Sequence, residues 1–254
     1  MIQSNGRDPD PGVSVVVPVR NEAGNIAPLV TEIVAALAGR PFEVIYVDDG
    51  SNDSTAQELR ALMGERPWLR FIRHEETCGR SAAVRTGVMM ARAPIVVTLD
   101  GDGQNDPAFL PELIAGLERN APRVGLVAGQ RVGRKASGFK KLQSRVANVV
   151  RRALLGDGSR DSACGLKALR RDLFMSLPYF DGLHRFLPAL VRREGFDIGY
   201  VDVVDRPRWH GRSNYALWDR LWIGVIDLAG VWWLIRRKSR IPRYEEVTAP
   251  SVLV

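Results

Sequence analysis

Two acidic clusters in this chain have the residue types and spacing to do chemistry. Asp100-Gly101-Asp102-Gly103-Gln104 sets two carboxylates two residues apart among glycines. Both can turn onto one hard divalent cation, Mg²⁺ or Mn²⁺, and Gln104 can add a neutral oxygen ligand. Such an ion bridges the two phosphates of a nucleotide diphosphate and takes up charge as the leaving group departs. Alone, the same pattern also describes a solvated Asp/Gly turn. The flanking Ile95–Leu99 run and a second acidic site favour the cation. That second site is Asp48-Asp49-Gly50-Ser51, whose aspartates could accept hydrogen bonds from a nucleobase or from ribose hydroxyls. Asn52 and Asp53 read as caps of the helix that follows. Pro18, Asn21 and Glu22 make a rigid polar turn where a dinucleotide-binding protein would carry GxGxxG, so an NAD or FAD enzyme is not expected.

The elements that must position these residues alternate. β-branched Val13–Val19 reads as a strand buried on both faces. Helical spacing follows over Asn25–Leu37, then a strand at Phe42–Val47, a helix at Asp53–Leu62 and a short strand at Leu69–Arg73. Ala82–Ala91 reads as helix, Ile95–Leu99 as strand, Ala108–Leu117 as helix and Val124–Ala128 as strand. This order predicts an α/β fold with a mostly parallel, doubly wound sheet. Both acidic clusters fall at strand carboxyl ends, where such sheets bind ligands.

Beyond Gln130 the character changes. No acidic residue stands between Glu118 and Asp157, while Arg131, Arg134, Lys135, Lys140, Lys141, Arg145, Arg151 and Arg152 do. Leu142, Val146, Val149, Val150 and Ala153 make a helical apolar stripe. An extended piece at Cys164–Leu169, a helix at Leu183–Arg193, a strand at Ile198–Val204 and a basic loop at Arg206–Arg212 follow. Net charge over the 254 residues is +7, which favours an anionic partner. The two cysteines, Cys78 and Cys164, form no cluster with ligand spacing, so neither a disulfide framework nor a zinc site is expected. His74, His184 and His210 are isolated and read as structural or surface residues, and Cys164 as a packed strand residue.

Together these residues resemble family-2 glycosyltransferases of the GT-A (Rossmann-like) fold, in the branch of dolichyl-phosphate mannosyltransferases and bacterial polyprenyl-phosphate glycosyltransferases. The resemblance runs from about Val13 to Arg237. VVPVRNE is similar to the opening P-x-x-N-E, YVDDGSNDST to the nucleotide-binding DDGS turn, and LDGDGQNDP to the D-x-D-x-Q metal motif. CGRSAAVRTG resembles a helix start that places Arg80 near the donor. GQRVGRK and KLQSRVAN resemble basic segments, implying phosphate contacts from Arg131 and Arg145. RDSACGLKALRR resembles a strand carrying Asp161 and Lys167 toward the active site, and RWHGRSNY a loop carrying Arg208 and Ser213. The family's lysine in that loop is Asn214 here, which removes a positive charge that Arg212 could restore.

The resemblance implies an inverting, metal-dependent enzyme that moves a hexose, of mannose or glucose type, from a nucleotide-diphosphate sugar to polyprenyl phosphate. Donors based on GDP and on UDP both remain open. The acceptor phosphate is already anionic, with a second pKa of about 6, so no strong base is required. Asp102 serves the metal and Asp161 is a base, an orienting carboxylate or a structural one. Residues 13–214 would be catalytic, split into a donor half to 130 and an acceptor half from 131, with tails at 1–12 and 241–254.

Tyr215–Ile235 reads as a Trp-rich apolar helix ending in Arg236-Arg237-Lys238. Leu221–Ile235 falls short of the roughly 20 residues a span needs. Asp227 at its middle would cost about 2.5–3.5 kcal/mol on insertion. The expectation is an amphipathic helix over 215–240 lying on an anionic membrane, with Trp218, Leu221, Trp222, Val225, Ala229, Trp232 and Trp233 on one side. A packed core helix is the bland alternative. The chain would then be peripheral on the inner face of the cytoplasmic membrane, or held there by a separate membrane-protein partner. A family-2 enzyme with a soluble or glycan acceptor is the nearest rival. A basic nucleic-acid-binding protein is the rival of another class; the aromatics cluster in an apolar helix rather than among cations on a sheet, so nucleic acid is not the expected partner.

Overall fold

The computed structural model describes residues 11–64, 66–132, 151, 153–208 and 219–237. Its elements alternate as the hydrophobic pattern requires: β1 (Val13–Val19), α1 (Ile26–Ala36), β2 (Phe42–Asp48), α2 (Thr55–Met63), β3 (Leu69–Arg73), α3 (Arg80–Met90) and β4 (Ile95–Thr98). A 3₁₀ turn at Pro107–Phe109 then leads into α4 (Leu110–Arg119), followed by β5 (Val124–Arg131), β6 (Lys167–Arg170) and α5 (Arg171–Ser176). A second 3₁₀ turn, Leu183–Arg185, precedes α6 (Leu187–Arg193), β7 (Asp197–Val203) and α7 (Asp219–Arg236).

The strands form one seven-stranded sheet in the order β3-β2-β1-β4-β6-β5-β7. Only β6 runs against its neighbours, pairing antiparallel with β4 and β5. Alternate side chains of each strand enter opposite cores, because a strand's side chains point to opposite faces in turn. Val15, Val17, Tyr46, Val97 and Val127 pack with Ile26, Leu29 and Ile33 of α1 and Leu113, Ile114 and Leu117 of α4. Val16, Ile45, Val47, Val96, Leu126 and Leu169 pack with α3, α5, α6 and Val231 of α7. Helix α3 lies so close that a Cβ on Gly87 would stand 2.3 Å from Val16 Cγ1.

Two expectations change in the second half. The helix expected over Leu183–Arg193 is a 3₁₀ turn followed by α6, whose Pro188 stands in the first helical turn, where its missing N–H costs nothing. α5 is six residues long, too short to show a period. The stripe at 142–150 and the residues Arg145, Ser213 and Asn214 lie outside the described residues.

Helix α7 was expected to present Trp232 and Trp233 on one side, and the structure separates them. Leu228, Val231, Trp232 and Ile235 dock on the core, with Arg193 Nε donating to Leu234 O at 3.1 Å. Val225, Ile226, Ala229 and Trp233 are exposed, with Ile226 at 68% and Trp233 at 53%. Residues three and four apart share a helix face, so 228, 231, 232 and 235 form one stripe and 225, 226, 229 and 233 another. No helix among the described residues is long and apolar enough to cross a membrane.

Candidate active site

Parallel strands deliver their carboxyl ends to one rim. Val19 lies level with Asp48, and Val16 with Thr98, so the turns after β1, β2 and β4 meet there. The turn after β4 can close over β1 only because residue 101 is glycine: a Cβ there would stand 2.3 Å from Val19 Cγ1. Gly103, with φ +73°, turns the chain back in the left-handed region.

Within that turn the Asp100 N–H donates to Asn105 Oδ1 at 3.0 Å, and the Gln104 N–H donates to Asp102 Oδ1 at 3.1 Å. The outward carboxylate oxygens meet arginines. Arg80, the first residue of α3, pairs with Asp100. Arg208 Nη2 donates to Asp102 Oδ2 at 2.7 Å, and its Nη1 reaches Glu22 Oε1 at 3.3 Å. Glu22 also accepts from Asn25 Nδ2 at 2.7 Å. The segment bearing Arg208 is fastened to the site. The Arg206 N–H donates to Gln104 O at 2.9 Å, and the Arg206 guanidinium grips Glu32 of α1 at 2.9 and 2.7 Å.

Electrostatics tie these groups together. Burial, and then the charge of Asp100, pushes the Asp102 carboxyl above its ordinary value. Glu22 is raised too, by burial first, with Asp102 and Asp100 adding to it despite Asn25 and Arg208. Three carboxylates thus crowd one rim, and guanidinium groups compensate them. The Asp100 and Asp102 carboxylates offer oxygen ligands alone, which suit a hard divalent cation such as Mg²⁺ or Mn²⁺. Asp100 and Asp102 are the residues that would hold it.

Lys167 opens β6 opposite Thr98 of β4. It is 2% exposed and its ammonium donates to Cys164 O. Burial pushes its pKa down to about 8. Beside it, Arg131 and Asp161 form a two-pronged ion pair, and Arg131 Nη1 reaches Asp205 Oδ2 at 3.3 Å. The Ala163 N–H donates to Asp161 Oδ1 at 3.2 Å. Arg131 therefore stands between two carboxylates rather than alone.

The two aspartates after β2 divide their work. Asp48 is fully buried; its Oδ1 accepts the Ser51 N–H at 2.8 Å, and Arg73 Nε lies 3.4 Å from its Oδ2. Asp49, expected to face a ligand, instead has both oxygens engaged. His74 Nδ1 and the Cys78 N–H meet Oδ1 at 2.9 and 2.8 Å, while the Thr77 hydroxyl and Gly79 N–H donate to Oδ2 at 2.8 and 2.9 Å. Burial works to raise the Asp49 pKa, but these bonds outweigh it and the carboxyl lies below its ordinary value. Asp49 thereby ties the 74–79 loop, and with it Arg80, to β2. Pro18 sits inside β1, and the Asn21 turn, at φ +55°, is held by its side chain accepting the Asn52 N–H at 2.9 Å.

Several site residues carry no sequence signal of their own. Asn105 props Asp100, and Asp205 and Arg206 link the strand ends. Gly165 is required because a Cβ there would stand 2.5 Å from Asp100 Oδ2 and 2.3 Å from Asn105 Oδ1. Ser81 Oγ accepts the Gly182 N–H at 3.0 Å and bonds His184 Nδ1 at 2.8 Å, which anchors the start of α3.

Known proteins share this architecture. The chain is 35% identical over 234 residues, 90% of its own length and 68% of the relative's, to a dodecaprenyl-phosphate galacturonate synthase of Rhizobium johnstonii. It is 32% identical over 207 residues to an undecaprenyl-phosphate 4-deoxy-4-formamido-L-arabinose transferase of Pectobacterium atrosepticum, covering 80% of this chain and 62% of that one. The chain thus spans about two thirds of these relatives. Its fold superposes with a TM-score of 0.64 on glucosyl-3-phosphoglycerate synthase from Mycobacterium tuberculosis in complex with Mn²⁺, UDP-glucose and glycerol 3-phosphate, at 24% identity over 89% of this chain and 80% of that one. Residues 14–177 match the family described as Glycosyl transferase family 2, and the chain belongs to that family.

Proposed function

We propose that the chain transfers a hexose from a nucleotide-diphosphate sugar to a polyprenyl phosphate, with inversion at the anomeric carbon. The observation that carries this reading is the single rim on which Asp100, Asp102 and Glu22 face Arg80 and Arg208, with Lys167 and Arg131 behind them. The names of the two polyprenyl-phosphate relatives supply the acceptor class. Asp100 and Asp102, with Gln104 adjoining, would hold Mg²⁺ or Mn²⁺, which would supply Lewis-acid charge stabilisation to the diphosphate.

The chain's residues do the rest by position. Arg80 and Arg208 exchange their carboxylate partners for phosphate oxygens of the donor. The acceptor's anionic head falls to Arg131, with Lys167 buried behind it as positive charge; the phosphate contacts proposed for Arg145 and Ser213 fall outside the described residues. A non-bridging oxygen of the acceptor phosphate bonds to the anomeric carbon. The bond from that carbon to the donor diphosphate breaks, and its electron pair leaves with the nucleotide. Because the nucleophile is already anionic, the residues align and neutralise rather than abstract a proton. Asp161, gripped by Arg131, orients that arginine. Asp48 and Asp49 shape the nucleoside end of the site through the turn that they hold.

The exposed stripe of α7, with Arg236 stacked at 4.0 Å over Trp232 and Arg237 at 5.6 Å over Trp233, supports peripheral seating on an anionic membrane surface. The inner face of the cytoplasmic membrane fits, since nucleotide sugars are on that side. Incubation with labelled UDP- and GDP-sugars, with undecaprenyl phosphate in vesicles or with water-soluble acceptors, tests the reading. Label in the lipid phase supports it. Transfer to the soluble acceptor alone overturns the lipid assignment.

A further inference from the structure

Outside the carboxylate rim, three side chains far apart in sequence converge: Asp49 after β2, His74 after β3 and Cys78 before α3. One ligand atom from each lies within 4.8 Å of the others. We propose that this trio is a second metal site, selective for a thiophilic ion such as Zn²⁺ and distinct from the oxygen site at Asp100 and Asp102.

The donor chemistry separates the two sites. One thiolate, one imidazole and one carboxylate suit Zn²⁺, whereas Mg²⁺ takes oxygen alone. The imidazole is held at both ring nitrogens, with a hydroxyl at Nε2 that can fix its orientation on a metal. His74 Nε2 bonds Thr86 Oγ1 at 3.0 Å, while Nδ1 faces Asp49. In the metal-free site Nδ1–H donates to the Asp49 carboxylate; when that proton is given up and Nε2–H donates to Thr86, the Nδ1 lone pair ligates. The His74 backbone N–H donates to Asp48 O at 2.9 Å, which fixes the ring's base. Asp49 is buried and held by the Cys78 and Gly79 N–H groups at 2.8 and 2.9 Å, so the carboxylate is placed before any ion arrives.

Cys78 is exposed, so the site opens to solvent and leaves a fourth position for water. Its thiol now rests 3.5 Å from Glu76 O, and a side-chain rotation turns it toward Asp49. Binding exchanges the His74–Asp49 hydrogen bond for two metal bonds, shifts the imidazole proton through solvent from Nδ1 to Nε2, where Thr86 Oγ1 accepts it, and releases the thiol proton to solvent. The 74–79 loop becomes tied to β2 through the ion as well as through hydrogen bonds. That loop packs against the turn after β2, where a Cβ on Gly50 would meet Thr77 N at 2.9 Å, and it leads directly into Arg80. Zinc at this site therefore acts on the donor side of the cleft, and the inferred effect is reversible inhibition.

Cobalt(II) reads the ligand set directly. Titration of the chelator-treated full chain should give an intense near-ultraviolet thiolate-to-cobalt absorption and the visible bands of a tetrahedral ion. Cys78→Ser should abolish the ultraviolet band, and His74→Gln should weaken Zn²⁺ binding by about tenfold or more. Asp102→Asn should leave the thiolate band in place, which separates this site from the carboxylate rim whatever becomes of sugar transfer. A cobalt spectrum of six-coordinate type only, or a band indifferent to Cys78→Ser, overturns the proposal. So does zinc affinity unchanged by His74→Gln in a folded variant.

Discussion

Replacing Gly165 by alanine tests whether the placement of Asp100 limits the reaction. The new Cβ would lie 2.5 Å from Asp100 Oδ2, 2.6 Å from its Cγ and 2.3 Å from Asn105 Oδ1. Ordinary contact begins near 3.4 Å, so Asp100 and Asn105 must each retreat by about 1 Å. That retreat breaks the Asp100 N–H to Asn105 bond and pulls the carboxylate from Arg80. Overpacking costs about 1–3 kcal/mol, which leaves a folded protein with a lowered Tm. A displacement of about 1 Å at a positioning group costs roughly 100-fold in rate. We expect kcat/KM for sugar transfer to fall by about that factor and the Mn²⁺ requirement to rise. Gly116→Ala is the control. It lies inside α4, where a Cβ makes ordinary contact at 3.4 Å with Val127. It should gain about 0.5–1 kcal/mol of stability with kcat/KM unchanged. If Gly165→Ala turns over as wild type does, with the same metal dependence, the inferred role of Asp100 fails.

Asp102→Asn should abolish metal-dependent transfer with little loss of Tm, since amide and carboxylate have the same shape; near-full turnover at saturating Mg²⁺ would refute the assignment. Arg131→Ala removes both prongs of a part-buried ion pair and should cost about 1–3 kcal/mol in denaturant unfolding, between an exposed and a fully buried pair; a cost below about 0.5 kcal/mol would contradict the pairing. Lys167 has a folded-state pKa lowered from 10.5 to about 8, so its contribution is present above 10.5 and lost as pH falls through 8. The stability difference between wild type and Lys167→Met should therefore shift by about 3 kcal/mol in favour of wild type from pH 8 to 10.5, and a flat difference would contradict the burial argument. Arg236→Ala with Arg237→Ala should weaken binding to phosphatidylglycerol vesicles about 30-fold, at about 1 kcal/mol per cation; equal binding in a sedimentation assay would remove the membrane seat.

The first half of the sheet was legible because its strands are buried on both faces and its helices show a clean 3.6-residue period. Val13–Val19 and Leu69–Arg73 carry the predicted bounds. Asp100 and Asp102 stood out because a strand end and a glycine pair mark them. Residues that act only through tertiary contact gave no such mark. Asp205 falls between a strand read to Val204 and a basic loop read from Arg206, and the meeting of these two residues with Asn105, Arg131 and Glu32 depends on how β5, β7 and α1 are brought together. The Asp49–His74–Cys78 trio shows the same effect, since its members follow three different elements and their sequence spacing resembles no ligand motif. The division of α7 into a docked and an exposed stripe could not be read either, because both stripes are apolar and only the core decides which one is covered.

Anomalous diffraction from crystals grown with Mn²⁺ and a nucleoside diphosphate would locate the ion on the rim. A manganese peak is expected between the Asp100 and Asp102 carboxylates and the diphosphate oxygens, with Arg80 or Arg208 released from its carboxylate. A diphosphate bound elsewhere, with both arginine–aspartate pairs intact and no manganese between them, would contradict the proposed site.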